Sequence, residues 1–103
     1  MTSWSFLTNH ALVLTHISRW PDSRGVEIAH AVGITERATR SIVRDLEAAG
    51  YIEREKVGRR NRYRVHIHRL MGGIGERELT VGQLLEMVLG QVADRDFQPT
   101  RAL

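Results

Sequence analysis

The sequence predicts a mainly α-helical domain with one small β-hairpin, an α+β arrangement, and three observations carry that expectation. Apolar residues recur at helical spacing in four separate stretches. Two runs of strand character flank Gly58-Arg59-Arg60-Asn61 after the third of these stretches. Capping and turn residues punctuate the boundaries between them. At 103 residues, 42% hydrophobic and 26% charged, the chain suffices for one core and is too short for two catalytic domains. The absence of cysteine excludes a disulfide framework, a thiolate metal cluster and a Cys nucleophile.

The first helix is expected after Thr8 or Asn9, either of which can cap, and runs over 10–19 with Ala11, Leu14 and Ile17 inward. Trp20-Pro21-Asp22-Ser23-Arg24-Gly25 combines turn-forming residues, so a loop is expected there. Val26 to Val32 carries Ile28, Ala29 and Val32 at helical spacing over barely two turns, too short to persist without packing on its neighbours. Gly33 suits a left-handed helix end and Thr35 an N-cap, which makes a tight turn into a second, longer helix from Glu36 to about Ala49, stopped by Gly50.

That longer helix has two unlike faces. Thr35, Ala38, Thr39, Ile42, Val43, Leu46 and Ala49 spread over about 140° and form the side expected to be buried, whereas Arg37, Arg40 and Arg44 fall within about 60° on the opposite side. Strands are expected at 51–57 and 62–67 with a four-residue loop between them, which places Val57 opposite Arg62. In that register the outer side pairs Glu53 with His66 and Glu55 with Arg64. Past Arg69, Leu70 to Gly75 reads as a glycine-rich connection. Thr80-Val81-Gly82-Gln83 is a capping box, opening a helix whose stripe of Leu84, Leu85, Val88, Leu89 and Val92 is broader than a small complete core requires. The tail from Asp94, with Pro99, is expected to fray.

Charge sharpens the reading. The net +3 is unevenly spread: residues 35–69 hold ten basic and five acidic side chains, while residues 1–34 balance and residues 70–103 are net acidic. No apolar run exceeds the four residues Ala11 to Leu14 and no basic-then-apolar leader opens the chain, so neither membrane span nor signal peptide is expected, and a cytoplasmic location follows. His66 and His68 share a strand face at a spacing that could hold a metal, but a third ligand is lacking. His10, His16 and His30 have no acid or serine at a spacing that assembles a catalytic group. No enzymatic activity, cofactor or metal is therefore expected.

Helix, short helix, tight turn, long helix and arginine-tipped hairpin make up the order of a winged helix-turn-helix domain over 1–69, with 70–103 as a connection and C-terminal helix. The stretch from Ile28 to Arg54, and above all Leu46-Glu47-Ala48-Ala49-Gly50-Tyr51-Ile52-Glu53-Arg54, resembles the MarR-type transcriptional regulators. The chain departs from that family in length, since full-length members carry substantial helices at both ends. The resemblance implies a homodimer that binds double-stranded DNA. In that geometry the 36–49 helix enters the major groove, with Arg37, Arg40 and Ser41 at base edges, Arg44 on phosphate, and Thr35 and Glu36 at the helix start beside the backbone. The 58–62 wing, with Arg59, Arg60, Asn61 and Arg62, meets the backbone or the minor groove. Leu84, Leu85, Val88 and Leu89 either pack back on their own domain or pair with a second copy; pairing is the favoured reading, which makes them the expected dimerisation stripe with Trp4 and Phe6 as additional cover, and no small-molecule effector is assigned. Two rival readings are a protein-docking module that leaves the arginines in solvent, and binding of double-stranded RNA by the same basic face.

Overall fold

The computed structural model describes residues 5–74 and 77–90, without side-chain detail at Gly73, Ile74 and Arg77; Trp4, Val92 and the tail from Asp94 lie outside the described residues. The elements in chain order are α1 (Asn9–Arg19), α2 (Gly25–Val32), α3 (Glu36–Ala48), β1 (Ile52–Val57), β2 (Arg60–Val65), β3 (Leu70–Ile74), β4 (Arg77–Thr80) and α4 (Val81–Leu89).

Helix α1 is the hub. It is capped by Thr8, whose side chain accepts from the Ala11 amide, and it packs against α2, α3, β2 and α4. Val13, Leu14, Ile17 and Ser18 are buried, while Ala11 is only half-buried. The buried arc is wider than the expected Ala11–Leu14–Ile17 face because α1 has neighbours on several sides. The Ser18 hydroxyl is accommodated by donating to the Thr15 carbonyl at 2.8 Å.

Helix α2 begins one residue before the expected Val26. The Glu27 carboxylate reaches back to accept from the Arg24 amide at 2.7 Å, so a capping contact secures a helix of only eight residues. Ile28 and Ala29 enter the core. Gly33 ends α2 at φ 85°, and the amides of Gly33 and Ile34 both reach the Ala29 carbonyl. A Cβ on Gly33 would meet nothing within 4 Å, so the cost of a side chain there is conformational only. Gly33→Ala is expected to lower stability by about 1 kcal/mol, read as a shifted denaturation midpoint with unchanged slope.

Helix α3 is bounded as its sequence dictates. Thr35 caps it through the Ala38 amide at 3.0 Å, and the chain leaves it by a Schellman turn: Gly50 at φ 84°, its amide on the Glu47 carbonyl and the Tyr51 amide on the Leu46 carbonyl. Tyr51 is consumed by this turn, so β1 starts at Ile52 and not at 51. Thr39, Ile42, Val43 and Leu46 are buried and Ala38 is half-buried, while Thr35 and Ala49, at the helix ends, are exposed.

The hairpin corrects the expected register. Val57 pairs with Arg60, not Arg62, and Ile52 with Val65. The loop is the two residues Gly58 and Arg59. Gly58 takes φ 65° while Arg59, like every other non-glycine among the described residues, keeps a negative φ, the pattern of a type II′ turn. A two-residue shift preserves which side chains share a face, so the alternation and charges used to choose the register fit either choice. The expected charge contacts form diagonally: His66 to Glu53 and Arg64 to Glu55, each at 3.3 Å, while the directly opposite partners are Glu53–Arg64 and Glu55–Arg62.

The expected glycine-rich connection is instead a second hairpin, with β3 antiparallel to β4 and an irregularity between Leu70 and Gly73, where Gly72 takes φ 103°. It delivers the Thr80–Gln83 capping box to the start of α4. There the backbone approaches closely: the Val81 amide donates to the Arg69 carbonyl and Gly82 to that of Ile67, and a Cβ at Gly82 would lie 3.1 Å from the Ile67 oxygen. Val81 and Leu85 are buried in the same cluster as Val13, Ile17, Ile28, Ile42, Leu46, Ile52 and Tyr63. The core therefore takes in residues from both sides of Arg69.

Candidate nucleic-acid interface

The outward side of α3 is built from the sites that do not enter the core. With 100° per residue, Arg37, Ser41 and Arg44 lie opposite the buried Thr39–Ile42–Val43–Leu46 arc, and Arg40 lies on one flank. All four are exposed. Neither a hydrogen bond nor an ion pair engages Arg37, Arg40 or Arg44 among the described residues. Glu36 is exposed at the first position, where a carboxylate complements the helix dipole. Thr35 spends its side-chain oxygen on the Ala38 amide, and its carbonyl accepts from the Thr39 hydroxyl at 3.0 Å.

The two flanks of α3 are held differently. On the α1 side, Asp45 receives His10 Nε2 at 2.8 Å. On the wing side, Glu47 accepts two bonds from Arg54 of β1, at 3.1 and 2.8 Å, a fork geometry that fixes the wing against the helix. On this wing side, Gly25, Thr39, Arg40, Val43, Arg44, Arg54 and Tyr63 line a hollow of about 100 Å³.

The wing residues separate into two groups. Arg59 sits exposed in the turn, without an ion pair among the described residues. Arg60 and Arg62 do not extend from a tip as the longer loop implied. Arg60 donates to the Asp22 carbonyl at 2.9 Å and Arg62 lies 3.7 Å from the Asp22 carboxylate, while the Tyr63 amide donates to the Pro21 carbonyl. The 20–24 loop thus acts as a third edge for the hairpin, and Asn61, half-buried, lies between the two tethered arginines. No short-range pattern marks Asp22 as their partner, because the contacts span 38 and 40 residues.

Two histidines that lacked partners by spacing acquire them in space. His10 meets Asp45, and His16 Nε2 lies 3.0 Å from the buried Ser23 hydroxyl. His16, Trp20, Asp22, Ser23, Glu27 and Arg60 surround an open hollow of about 350 Å³. Burial depresses the His16 pKa, and the Glu27 carboxylate partly opposes it. A histidine whose folded pKa lies below its unfolded value of about 6.5 contributes no penalty above that value. Below it the unfolded chain binds the proton first, so stability falls as pH drops through 6.5. His16→Gln is expected to make the thermal midpoint less dependent on pH between about 7 and 5, measured by calorimetry.

Arg69 was not singled out in the sequence. Its guanidinium donates to the Ala49 carbonyl at 3.0 Å and lies over the Tyr51 ring, so it caps the C-terminus of α3. The expected dimerisation residues divide. Leu85 is buried in its own domain, Leu89 packs at the edge of the same core and Leu84 is half-buried. Val88 is exposed, as is Met87 beside it, and Phe6 is exposed ahead of α1. Among the described residues no three His, Asp or Glu side chains cluster as a metal site, and no helix is long and apolar enough to cross a membrane.

A short helix, a glycine turn, a capped helix with a cationic outer side, and a hairpin fastened beside it define a winged helix-turn-helix protein. The FaeA-like protein family model matches residues 9–62, just over half of the chain, and covers α1 through the first residues of β2. The chain belongs to the FaeA-like family, small winged-helix-like regulators. A comparison with curated proteins gave no match. The MarR-type resemblance is met at the coarser level of the helix-turn-helix class.

Proposed function

We propose that the protein is a sequence-specific, double-stranded DNA-binding regulator of transcription that acts by occupancy, without catalysis or a bound cofactor, in the cytoplasm. The observation that carries this reading is the row of Arg37, Arg40 and Arg44 on the outer side of α3, exposed and without counter-charges among the described residues. A helix of this size fits a major groove about 12 Å wide, and a guanidinium fork can take guanine O6 and N7 together. Among the described residues of the hairpin, Arg59 and Lys56 are the cations without a counter-charge. The MarR-like phrase from Leu46 to Arg54 supports the same docking at a finer level.

Selection of bound fragments from a random DNA pool tests the reading: an enriched motif is expected, and its absence at low salt would refute it. Arg54, Arg60, Arg62 and Arg64 already have acidic or carbonyl partners. The log–log salt slope is therefore expected to be roughly −3 to −4 per chain, not the value the full count of arginines suggests. Salt-insensitive binding of a protein partner, with no DNA bound, would favour a docking module.

Self-association is part of the proposal. A two-fold pair would set two recognition helices about 34 Å apart and produce a palindromic motif. With Leu85 committed to its own core, the surface for pairing is Leu84, Met87 and Val88. Val88→Asp is expected to give a folded monomer by light scattering from a dimeric parent; a monomeric parent removes this part of the reading.

A further inference from the structure

The hollow between α3 and the wing contains a hydrogen-bonding group that reading bases does not use. Tyr63 is 8% exposed as a residue, and its hydroxyl has no hydrogen-bond partner among the described residues; since no buried side-chain oxygen or nitrogen lacks one there, the ring is in the core while the hydroxyl is open to solvent and available to a ligand. It lines the hollow together with Arg40 and Arg44, which carry no counter-charge, and with Arg54, whose charge Glu47 already balances. Burial raises the Tyr63 pKa, so the hydroxyl is a donor at every working pH.

The position of Arg40 on α3 completes the geometry. Arg40 and Glu47 are about 20° apart on the helical wheel and share the flank that meets the wing, whereas Arg37 points directly away from the core. The volume, about 100 Å³, exceeds the ~30 Å³ share of one water and suits a tetrahedral oxyanion. Gly25, the first residue of α2, also lines it.

We infer that this hollow seats a phosphate group of the DNA backbone, with the Tyr63 hydroxyl donating to a phosphate oxygen and Arg40 and Arg44 supplying the positive charge. This rests on the DNA-binding reading and changes the role of one residue within it: Arg40 is a phosphate clamp, and the base edges are left to Arg37 and Ser41. Tyr63→Phe deletes one hydroxyl and keeps the ring in the core, so its effect on binding is separable from folding.

The test measures affinity for a selected duplex and for unrelated duplexes across salt, in the intact chain and in Tyr63→Phe, Arg40→Ala and Arg37→Ala variants. Tyr63→Phe is expected to bind all duplexes about tenfold more weakly at an unchanged melting temperature. Arg40→Ala is expected to weaken all duplexes alike, with a slope about 0.9 shallower, while Arg37→Ala loses preference for the selected duplex. Wild-type binding that Tyr63→Phe and Arg40→Ala leave untouched overturns the seat while the DNA reading stands. Loss of sequence preference in Arg40→Ala at an unchanged slope returns that residue to a base edge and also overturns it. No duplex binding by the parent at low salt removes both readings. Inorganic phosphate, followed by the Tyr63 ring resonances, separates the sources: saturation that leaves duplex binding unaffected assigns the hollow to a free anion and overturns the backbone assignment.

Discussion

Leu85→Asp is expected to abolish cooperative unfolding of the domain, and not merely to separate two copies of it. Leu85 is 1% exposed and packs with Val81 into the cluster built on α1. Truncating a buried leucine costs about 2–5 kcal/mol, and a carboxylate in its place adds the cost of an unpaired buried charge. Small domains have only about 5–15 kcal/mol in hand, so the substitution consumes most of the margin. Near-ultraviolet circular dichroism and a thermal scan read the outcome: a flat scan is expected for Leu85→Asp and a normal transition for Val88→Asp. A folded, monomeric Leu85→Asp variant would mean that the helix packs between chains and not within one.

Replacing Arg37, Arg40 and Arg44 together with alanine is expected to eliminate specific duplex binding while leaving the melting temperature within about 1–2 °C of the parent, because exposed side chains without partners contribute little to stability. The salt slope should fall by up to about 1.8, since Arg40 and Arg44 are the phosphate contacts among the three and each contributes about 0.9. Retained preference for the selected motif would transfer sequence reading from α3 to another element. Alanine favours helix more than arginine does only slightly, so helix content is not expected to change.

The contrast between these two experiments follows how much each residue's role depended on neighbours in sequence. Arg37, Arg40 and Arg44 could be placed on one exterior row from periodicity alone, because Thr35 and Gly50 fix both ends of α3 and thus its rotation relative to the core. The same holds for Gly33 in the turn and for Thr80 with Gln83 at the start of α4. Leu85 could not be assigned in this way. A stripe of Leu84, Leu85, Val88 and Leu89 read from sequence favours pairing between chains while leaving packing within the chain open, and the hydrogen bonds of Val81 and Gly82 to the segment after β2 turn its Leu85 edge inward.

The wing shows where alternation stops informing. Period-two patterning identifies faces but is blind to a shift of two residues, and Glu53, Glu55, Arg64 and His66 make favourable contacts in either register. The preference of Gly58 for positive φ selects the shorter turn, and the shorter turn moves Arg60 and Arg62 out of the tip and into reach of Asp22. The second hairpin was obscured by Gly72 and Gly73, which lower strand character while permitting the irregularity that the strand pair contains.

Capping, periodicity and segmental charge by themselves determined the helix order, the ends of α3 and its arginine row, since each of these depends on residues within a turn or two of one another. Tertiary structure alone decided which arginines remain available, that Tyr63 faces a hollow beside two of them, and that Leu85 belongs to the core. Those outcomes arise from partners up to 40 residues away, whose meeting is set by the packing of α1, the 20–24 loop and the wing, not by any local preference.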